Sequence, residues 1–297
     1  MFHGLSAFPL TPLRNNQVDQ HAFSVLIARL VQAKVDSIGV LGSTGCYPYL
    51  SEKQRQQVTQ LAVDMAGDIP VMAGIGATNL YDVLTHCEHA QHAGATALML
   101  APVSYHVLND DEVYALFEAV SRQVSVPICV YNNTGTTHFS FNDELYIKIA
   151  QLPNIGAIKM PAISKDIPQA KQRLTSLREQ LPKHIKLGAS TDSLAAYSIA
   201  SSMDVWFSAT AGLLPEKMQE IAIAAQAGNL DTAIALSEQY SPLWECVARN
   251  KGSVRCVAAI AEILKLVNTP CLPFPLNSVQ GVDRERLISL VNELRLS

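Results

Sequence analysis

Short apolar runs recur eight times between residues 4 and 210, and segments with helically spaced apolar residues separate them. The runs are nearly unbroken in apolar character, as is typical of strands buried on both faces of a parallel sheet. The intervening segments begin near a capping Asp, Ser or Asn, which predicts amphipathic helices. The runs read GLSAFPLT, SIGVLGST, PVMAGIG, TALMLAP, PICVYNN, IGAIKMP, IKLGAS and DVWFSAT. Eight strand-then-helix units predict an α/β fold, a (β/α)8 TIM barrel.

The pattern changes after residue 226, where no further strand is predicted. Three stretches with helical periodicity follow: NLDTAIALSEQYSPLWECVA, GSVRCVAAIAEILKLV and DRERLISLVNELRLS. We therefore expect the barrel over residues 1–226 and a C-terminal region of three helices over residues 227–297.

Composition narrows the class of protein. The 297 residues are 48% hydrophobic and 16% charged, which is sufficient for a large core and too poor in charge for a disordered chain. The formal net charge is -4 and no run of Lys or Arg occurs, so neither nucleic acid nor an anionic membrane surface is an expected partner. The N-terminus lacks a signal-peptide pattern and no apolar segment is long enough to span a membrane. These features predict a cytoplasmic protein with a small-molecule partner.

Six cysteines are spread along the chain: Cys46, Cys87, Cys129, Cys246, Cys256 and Cys271. No two of them form a C-x-x-C pair, so their spacing is typical neither of a disulfide framework nor of a zinc site. We expect reduced thiols, most of them in the core.

The active site of such a barrel lies at the C-terminal ends of its strands. Gly42–Gly45, with the sequence GSTG, closes the second predicted strand, Tyr131 closes the fifth and Lys159 closes the sixth. Because side chains alternate along a strand, Lys159 and Tyr131 can both point into the barrel mouth. A lysine in an apolar run is unusual. It is either an edge lysine, a member of a structural ion pair or a reactive amine, and the run alone leaves all three open.

The order and spacing of GSTG, YN, IK and SAT resemble those of the pyruvate-dependent class I lyases and aldolases, a family that includes dihydrodipicolinate synthase and N-acetylneuraminate lyase. The resemblance covers essentially the whole chain. It implies that Lys159 forms a Schiff base with pyruvate or a related 2-keto acid. It also implies that Tyr131 relays protons and is linked through Thr44 to a tyrosine of a neighbouring subunit, for which Tyr105 is the best match here. A homo-oligomer, a dimer or a tetramer, is therefore expected.

The chemistry is consistent with these residue types. An exposed lysine, with a pKa of about 10.4, is almost wholly protonated at pH 7 and cannot attack a ketone. Burial lowers the pKa, because it disfavours the charged form, and so supplies free amine. A hydroxyl chain can move the required protons. Ser43, Thr44 and the backbone N–H groups of the GSTG turn can hold the substrate carboxylate. No cofactor and no metal is expected.

The chain departs from the synthase branch at several positions, and these departures bear on which acceptor aldehyde it uses. Thr136 stands where that branch has a carboxylate-binding arginine, Cys46 where a glutamate is usual, and Ser190 where the synthase has glycine. Thr136, Ser190, His138 and Phe207 join Ser43 and Thr44 as predicted substrate-binding residues. A threonine-rich loop favours a neutral or polyhydroxylated aldehyde, so condensation with aspartate semialdehyde is expected to be poor.

We therefore predict a Schiff-base lyase or aldolase that acts on a 2-keto acid and an aldehyde. The reaction is aldol cleavage of a 2-keto-3-deoxy sugar acid, condensation of pyruvate with an aldehyde, or dehydration of a related keto acid. Three alternatives stay open at this point: the synthase activity that gives the family its name, a keto-acid-binding barrel without catalysis, and a metal-dependent aldolase. The last lacks an obvious cluster of His and carboxylate ligands at the strand ends.

Overall fold

The computed structural model describes residues 1–296, and its centre is a closed barrel of eight parallel strands. The barrel strands are β1 (Gly4–Ala7), β4 (Ser37–Val40), β5 (Val71–Gly74), β6 (Ala97–Leu100), β7 (Ile128–Tyr131), β8 (Ile155–Met160), β9 (Lys186–Ala189) and β10 (Val205–Ser208). Each pairs with its neighbours in chain order, and β1 closes the barrel by pairing with both β4 and β10. A two-stranded hairpin, β2 (Leu13–Arg14) and β3 (Gln17–Val18), lies outside the barrel. All eight predicted runs are barrel strands, so the predicted (β/α)8 TIM barrel is confirmed.

Helices surround the strands, and most of the longer ones begin at a capping side chain. They are α1 (Gln20–Ala33), α2 (Glu52–Ala66), α3 (Leu80–His92), α4 (Asp110–Ser121), α5 (Thr134–Thr137), α6 (Asp143–Ala150), α7 (Ile167–Gln180), α8 (Ala195–Ala200) and α9 (Pro215–Gln226). Asp19, Ser51 and Asn109 each accept a hydrogen bond from a backbone N–H of the helix that follows. These bonds satisfy N–H groups that have no partner within the helix.

Two groups of buried side chains hold the barrel together. The larger fills the space between strands and helices, where Ile38 and Phe117 are fully buried. The smaller fills the inside of the barrel and includes Phe8, Met99 and Phe207. Because the interior is packed, it is a core and not a channel, and a substrate reaches only the mouth of the barrel.

The C-terminal region contains four helices among the described residues, and the expectation of three was wrong. They are α10 (Leu230–Glu238), α11 (Ser241–Arg249), α12 (Val254–Ile263) and α13 (Gly281–Glu293). The first predicted stretch, residues 229–248, breaks before Pro242, which lies in the first turn of α11. Proline has no N–H to donate and is tolerated in the first turn of a helix, so a new helix begins there. The first of these helices, α10, packs against α8 and α9 of the barrel. The contacts do not separate the two regions at residue 226, so the domain boundary there stays a prediction.

The cysteines are buried, but two of them are not free thiols. The structure pairs Cys246 of α11 with Cys256 of α12 as a disulfide, with 6.4 Å between the Cα atoms. The expectation of six reduced thiols was therefore wrong for this pair, because the helical hairpin brings together two cysteines that sequence spacing alone does not connect. The other four are free and buried: Cys46, Cys87, Cys129 and Cys271.

Within residues 1–296, no helix has the length and apolar character needed to cross a membrane.

Candidate active site

Two adjacent strands place the predicted lysine and tyrosine side by side. Tyr131 ends β7, and its Cα is the register partner of the Cα of Lys159 near the end of β8. The Lys159 Nζ lies 4.3 Å from the centroid of the Tyr131 ring. Both side chains are buried, with relative exposures of 5% for Lys159 and 7% for Tyr131. The structure thus brings the two residues together at the barrel mouth, as the alternation of side chains predicts.

Aromatic rings enclose the amine of Lys159. Its Nζ lies 3.6 Å from the ring centroid of Phe8 and 5.5 Å from that of Phe207. Gly39 makes room for this arrangement, since a Cβ at that position would collide with the Phe8 ring. No ion pair within residues 1–296 involves Lys159. The structural ion pair left open by the sequence is therefore not formed in the described part of the chain.

This environment changes the pKa of the amine. Burial lowers the pKa of Lys159 from 10.5 to about 7, and the smaller effects of Cys129 and Asp192 act in the opposite direction. The physical cause is the loss of hydration, which the ammonium needs far more than the neutral amine does. Lys159 therefore has a substantial fraction of nucleophilic amine near neutral pH.

The hydroxyl of Tyr131 is hydrogen-bonded within a small polar chain. It lies 3.3 Å from the Oγ of Ser43, which also accepts a 2.9 Å hydrogen bond from the Nδ2 of Asn133. Burial raises the pKa of Tyr131 to about 12, although the hydrogen bond with Ser43 partly opposes this rise. Tyr131 consequently holds its proton at neutral pH and can donate it.

Thr44 takes a different partner. Its Oγ1 lies 3.5 Å from the Oγ of Ser253, which precedes α12. The described residues contain no hydrogen bond between Thr44 and Tyr131, and Ser43 occupies that position instead. The predicted link from Tyr131 through Thr44 is thus not made in this structure.

One cavity of about 630 Å³ collects most of the predicted site residues. Its lining includes Lys159, Tyr131, Ser43, Thr44, Thr136, Ser190 and Phe207. The Ser190 hydroxyl donates a 3.1 Å hydrogen bond to the backbone carbonyl of Met160, and the Thr136 hydroxyl donates one of 3.3 Å to that of Asn133.

Two predicted residues lie outside this cavity. Tyr105 is 93% exposed in the loop between β6 and α4 and contacts the ring of its neighbour His106. His138 is exposed at the end of α5 in a left-handed conformation, with φ of 57°. Within one subunit, neither residue joins the group around Lys159.

The cavity also contains residues that the sequence did not single out. Asp192 follows β9 and accepts hydrogen bonds from the Trp206 Nε1 at 2.9 Å and from the Thr210 hydroxyl at 2.7 Å. An acidic residue just after a strand is a signal that could have identified it. Arg255 and Ser253 come from the C-terminal region, for which the barrel rule supplies no signal.

Within residues 1–296, no three His, Cys, Asp or Glu side chains lie close enough together to hold a metal ion.

A (β/α)8 barrel with a buried lysine of low pKa at its mouth is the arrangement of a class I aldolase or lyase. Comparison with known proteins agrees. The model of the dihydrodipicolinate synthetase family matches residues 1–294, and the chain belongs to this family. The predicted class, a lyase or aldolase that acts on a 2-keto acid through a lysine Schiff base, is thereby confirmed.

Individual relatives are similar over most of their length. The solved dihydrodipicolinate synthase of Agrobacterium tumefaciens strain C58 has a TM-score of 0.93 and 40% identity, and the match covers 99% of this chain and 98% of that chain. The 4-hydroxy-tetrahydrodipicolinate synthase of Phenylobacterium zucineum is 29% identical, over 91% of this chain and 92% of the relative. That of Hyphomonas neptunium is 29% identical over 80% of each.

Proposed function

We propose that Lys159 is the residue that forms the Schiff base, with pyruvate or a closely related 2-keto acid as the substrate. The observation that carries this assignment is the position of its amine, which is buried among the rings of Phe8, Tyr131 and Phe207 and has a pKa lowered to about 7. A buried lysine without an ion-pair partner is costly for the fold. A role in nucleophilic catalysis accounts for the presence of such a destabilising residue.

The reaction then follows from the chemistry of the imine. The neutral amine attacks the keto carbon, and the carbinolamine loses water to form an iminium. Loss of a proton from the adjacent carbon gives an enamine, whose carbon attacks the carbonyl of an aldehyde to form a new C–C bond. Hydrolysis of the resulting iminium returns the lysine and releases the keto acid product. Cleavage of a hydroxylated keto acid is the same sequence in reverse.

Tyr131 is the proposed donor and acceptor of protons in these steps. Its hydroxyl lies within the same cavity as the amine, and the 3.3 Å contact with Ser43 fixes its direction. A positioned group of this kind is typically worth about 10²-fold or more in rate. Because a tyrosine hydroxyl is neutral when protonated, it does not raise the pKa of the neighbouring lysine.

The GSTG turn is the proposed site of the substrate carboxylate. Ser43 and Thr44 line the cavity and offer two hydroxyls in addition to their backbone N–H groups. Such turns bind anions well, since the donors converge without a compensating negative charge. Ser190, Thr136 and Phe207 line the same cavity and are proposed to contact the rest of the substrate.

Other features of the prediction are proposals about the assembled protein. Tyr105 projects from the surface of one subunit, which is consistent with a role in the site of a neighbour, and a homo-oligomer is proposed on this basis. His138 is exposed at the end of a short helix and is proposed to contact a bound substrate only at the rim. A cytoplasmic location remains part of this proposal.

The synthase reaction is the second candidate. Relatives that match most of the chain carry the name 4-hydroxy-tetrahydrodipicolinate synthase. In that reaction Thr136 cannot supply the charge that holds the carboxylate of aspartate semialdehyde, because it offers only a single short hydroxyl.

Trapping with borohydride tests the proposed chemistry. Pyruvate and borohydride together should add one reduced pyruvyl group to the protein, and the intact mass should show it. Lys159→Ala and Lys159→Arg should both prevent the addition, because a guanidinium stays protonated and cannot form an imine. An unmodified wild-type protein would overturn the proposal, and so would undiminished trapping in both variants.

A further inference from the structure

The cavity beside Lys159 contains an arginine that the proposed chemistry does not use. Arg255 lies in the first turn of α12, is half-buried, and lines the cavity together with Lys159. None of the hydrogen bonds and ion pairs formed within residues 1–296 uses its guanidinium. A guanidinium that has lost part of its hydration needs acceptor groups, and within one subunit the described residues do not supply them.

Other arginines of the C-terminal helices form ion pairs with acidic side chains. Arg249 of α11 forms a 2.6 Å ion pair with Asp283, and Arg284 of α13 forms a 2.8 Å ion pair with Glu262. Pairing with an acid is therefore usual for the arginines of this helical region. Arg255, which faces the cavity, departs from that pattern.

The carboxylate that lines the cavity, that of Asp192, forms no ion pair with Arg255 within the described residues. Both oxygens of Asp192 accept hydrogen bonds already, Oδ1 from Trp206 and Oδ2 from the backbone N–H and hydroxyl of Thr210. The second cation of the lining, Lys251, is exposed at the rim. Besides Lys159, the lining therefore contains two cations and one engaged carboxylate, an excess of positive charge.

The thiol of Cys46, whose pKa the charge of Arg255 affects, does not neutralise that charge. Cys46 is 1% exposed, and burial raises its pKa to about 12, while the charge of Arg255 acts in the opposite direction. The thiol therefore stays protonated at neutral pH and offers no anion. A ligand that enters the cavity is left as the source of negative charge.

We infer that Arg255 determines specificity by binding a second carboxylate of the substrate, at the end remote from the keto group that reacts with Lys159. The planar guanidinium can hold a carboxylate through two parallel hydrogen bonds. The substrate class that follows is a keto acid with a remote carboxylate, which corresponds to an aldehyde partner that is itself an acid. Thr134 and Thr136 also line the cavity, so hydroxyl groups between the two ends of the substrate have donors and acceptors within reach.

This inference rests on the proposed imine at Lys159, and the test uses that imine as its readout. 2-Ketoglutarate and 2-ketopentanoate have the same chain length and differ in the remote carboxylate. 2-Ketoadipate and 2-ketohexanoate form a second such pair, one carbon longer. The measured quantity is the concentration of each acid that gives half-maximal trapping with borohydride.

In the wild-type protein, at least one diacid should reach half-maximal trapping at a lower concentration than its matched monoacid. Arg255→Gln should raise that concentration for the diacid by about tenfold or more, which is the usual effect of losing a charge-assisted hydrogen bond, and should change the monoacid by less than about twofold. For the diacid, Arg255→Lys should give a value between those of the wild-type protein and Arg255→Gln, because lysine keeps the positive charge and loses the two parallel hydrogen bonds of the guanidinium. Arg286→Gln is the matched control, since it removes a cation on α13 whose 3.7 Å partner is Glu245 and which is outside the cavity lining.

Equal trapping of diacids and monoacids in the wild-type protein would overturn the inference, as would equal shifts of both in Arg255→Gln. Pyruvate trapping should be unchanged in every Arg255 variant, which shows that the site is intact. Failure of pyruvate trapping in the wild-type protein is a different result, because it removes the proposed imine itself.

Discussion

Lys159 and Tyr131 are register partners on adjacent parallel strands, with the lysine Nζ 4.3 Å from the centroid of the tyrosine ring. This pairing fixes the distance between the proposed nucleophile and the proposed proton donor through backbone hydrogen bonds and not through a flexible loop. Sites built on strands hold their geometry better than sites on loops. This pairing therefore explains how two adjacent strand ends can supply both the nucleophile and the proton donor of the imine chemistry.

Removing the tyrosine hydroxyl should slow turnover without removing the imine. In Tyr131→Phe we expect turnover to fall by about 10²-fold or more, because the proton relay is lost while the ring stays beside the lysine. Steady-state kinetics and pyruvate trapping measure the two effects separately. Tyr146→Phe is the matched control, since its buried hydroxyl accepts a 2.7 Å hydrogen bond from Asn132 and lies outside the cavity lining. Unchanged turnover in folded Tyr131→Phe would reduce Tyr131 to a packing residue.

The lowered pKa of Lys159 makes its reactivity dependent on pH. Below a pH of about 7 the amine is mainly protonated and unreactive, and above that pH it is mainly neutral. Competitive labelling with an amine reagent, read by peptide mass, should therefore show the labelling of Lys159 rising to half its maximum near pH 7. The exposed Lys251 serves as an internal measure of reagent activity. A midpoint near the ordinary lysine value of about 10.4 would contradict the effect of burial.

The two hydroxyls of the GSTG turn should contribute unequally. Ser43→Ala removes the hydrogen-bond partner of Tyr131, so we expect turnover to fall by about tenfold. Thr44→Val removes a longer contact with Ser253 and should lower turnover less. The comparison of kcat for the two variants measures which hydroxyl supports the relay. A larger loss in Thr44→Val would favour the link through Thr44 that the family resemblance implies.

The exposed Tyr105 is tested by mixing subunits. If the tyrosine reaches a neighbouring site, Tyr105→Phe should slow turnover, and hybrids of Tyr105→Phe with Lys159→Ala should recover part of the activity, because some sites then contain both native residues. Kinetics on hybrids verified by native mass spectrometry measure the recovery. Hybrids without any recovery would place Tyr105 outside the active site.

Most of the barrel and the core of the candidate site were predictable from local patterns. Lys159 and Tyr131 could be paired in advance because strand alternation and the rule for barrel mouths both act over a few residues. The resemblance implied Thr44 as the partner of the Tyr131 hydroxyl, whereas the structure has Ser43 there. The two residues are adjacent, and the direction of each side chain depends on the tight turn that they share, which the sequence pattern does not define.

The contribution of the helical region lay beyond the sequence patterns. Arg255 lies almost a hundred residues after Lys159, and only the packing of α12 against the barrel mouth brings it to the cavity. Thr136 alone favoured a neutral aldehyde, whereas the cation on α12 favours an acidic one. The break before Pro242 and the pairing of Cys246 with Cys256 were missed for a related reason, because helical periodicity continues across the break and does not reveal which helices pack together.

The central claim is that Lys159, and no other lysine, carries the imine. Lys251 is the other lysine that lines the cavity, so it is the natural competitor. The most direct measurement is peptide mapping of the protein after reduction with borohydride in the presence of pyruvate. We predict one reduced pyruvyl group on the peptide that contains Lys159 and none on the peptide that contains Lys251. An adduct on Lys251, or one spread over several surface lysines, would contradict this account.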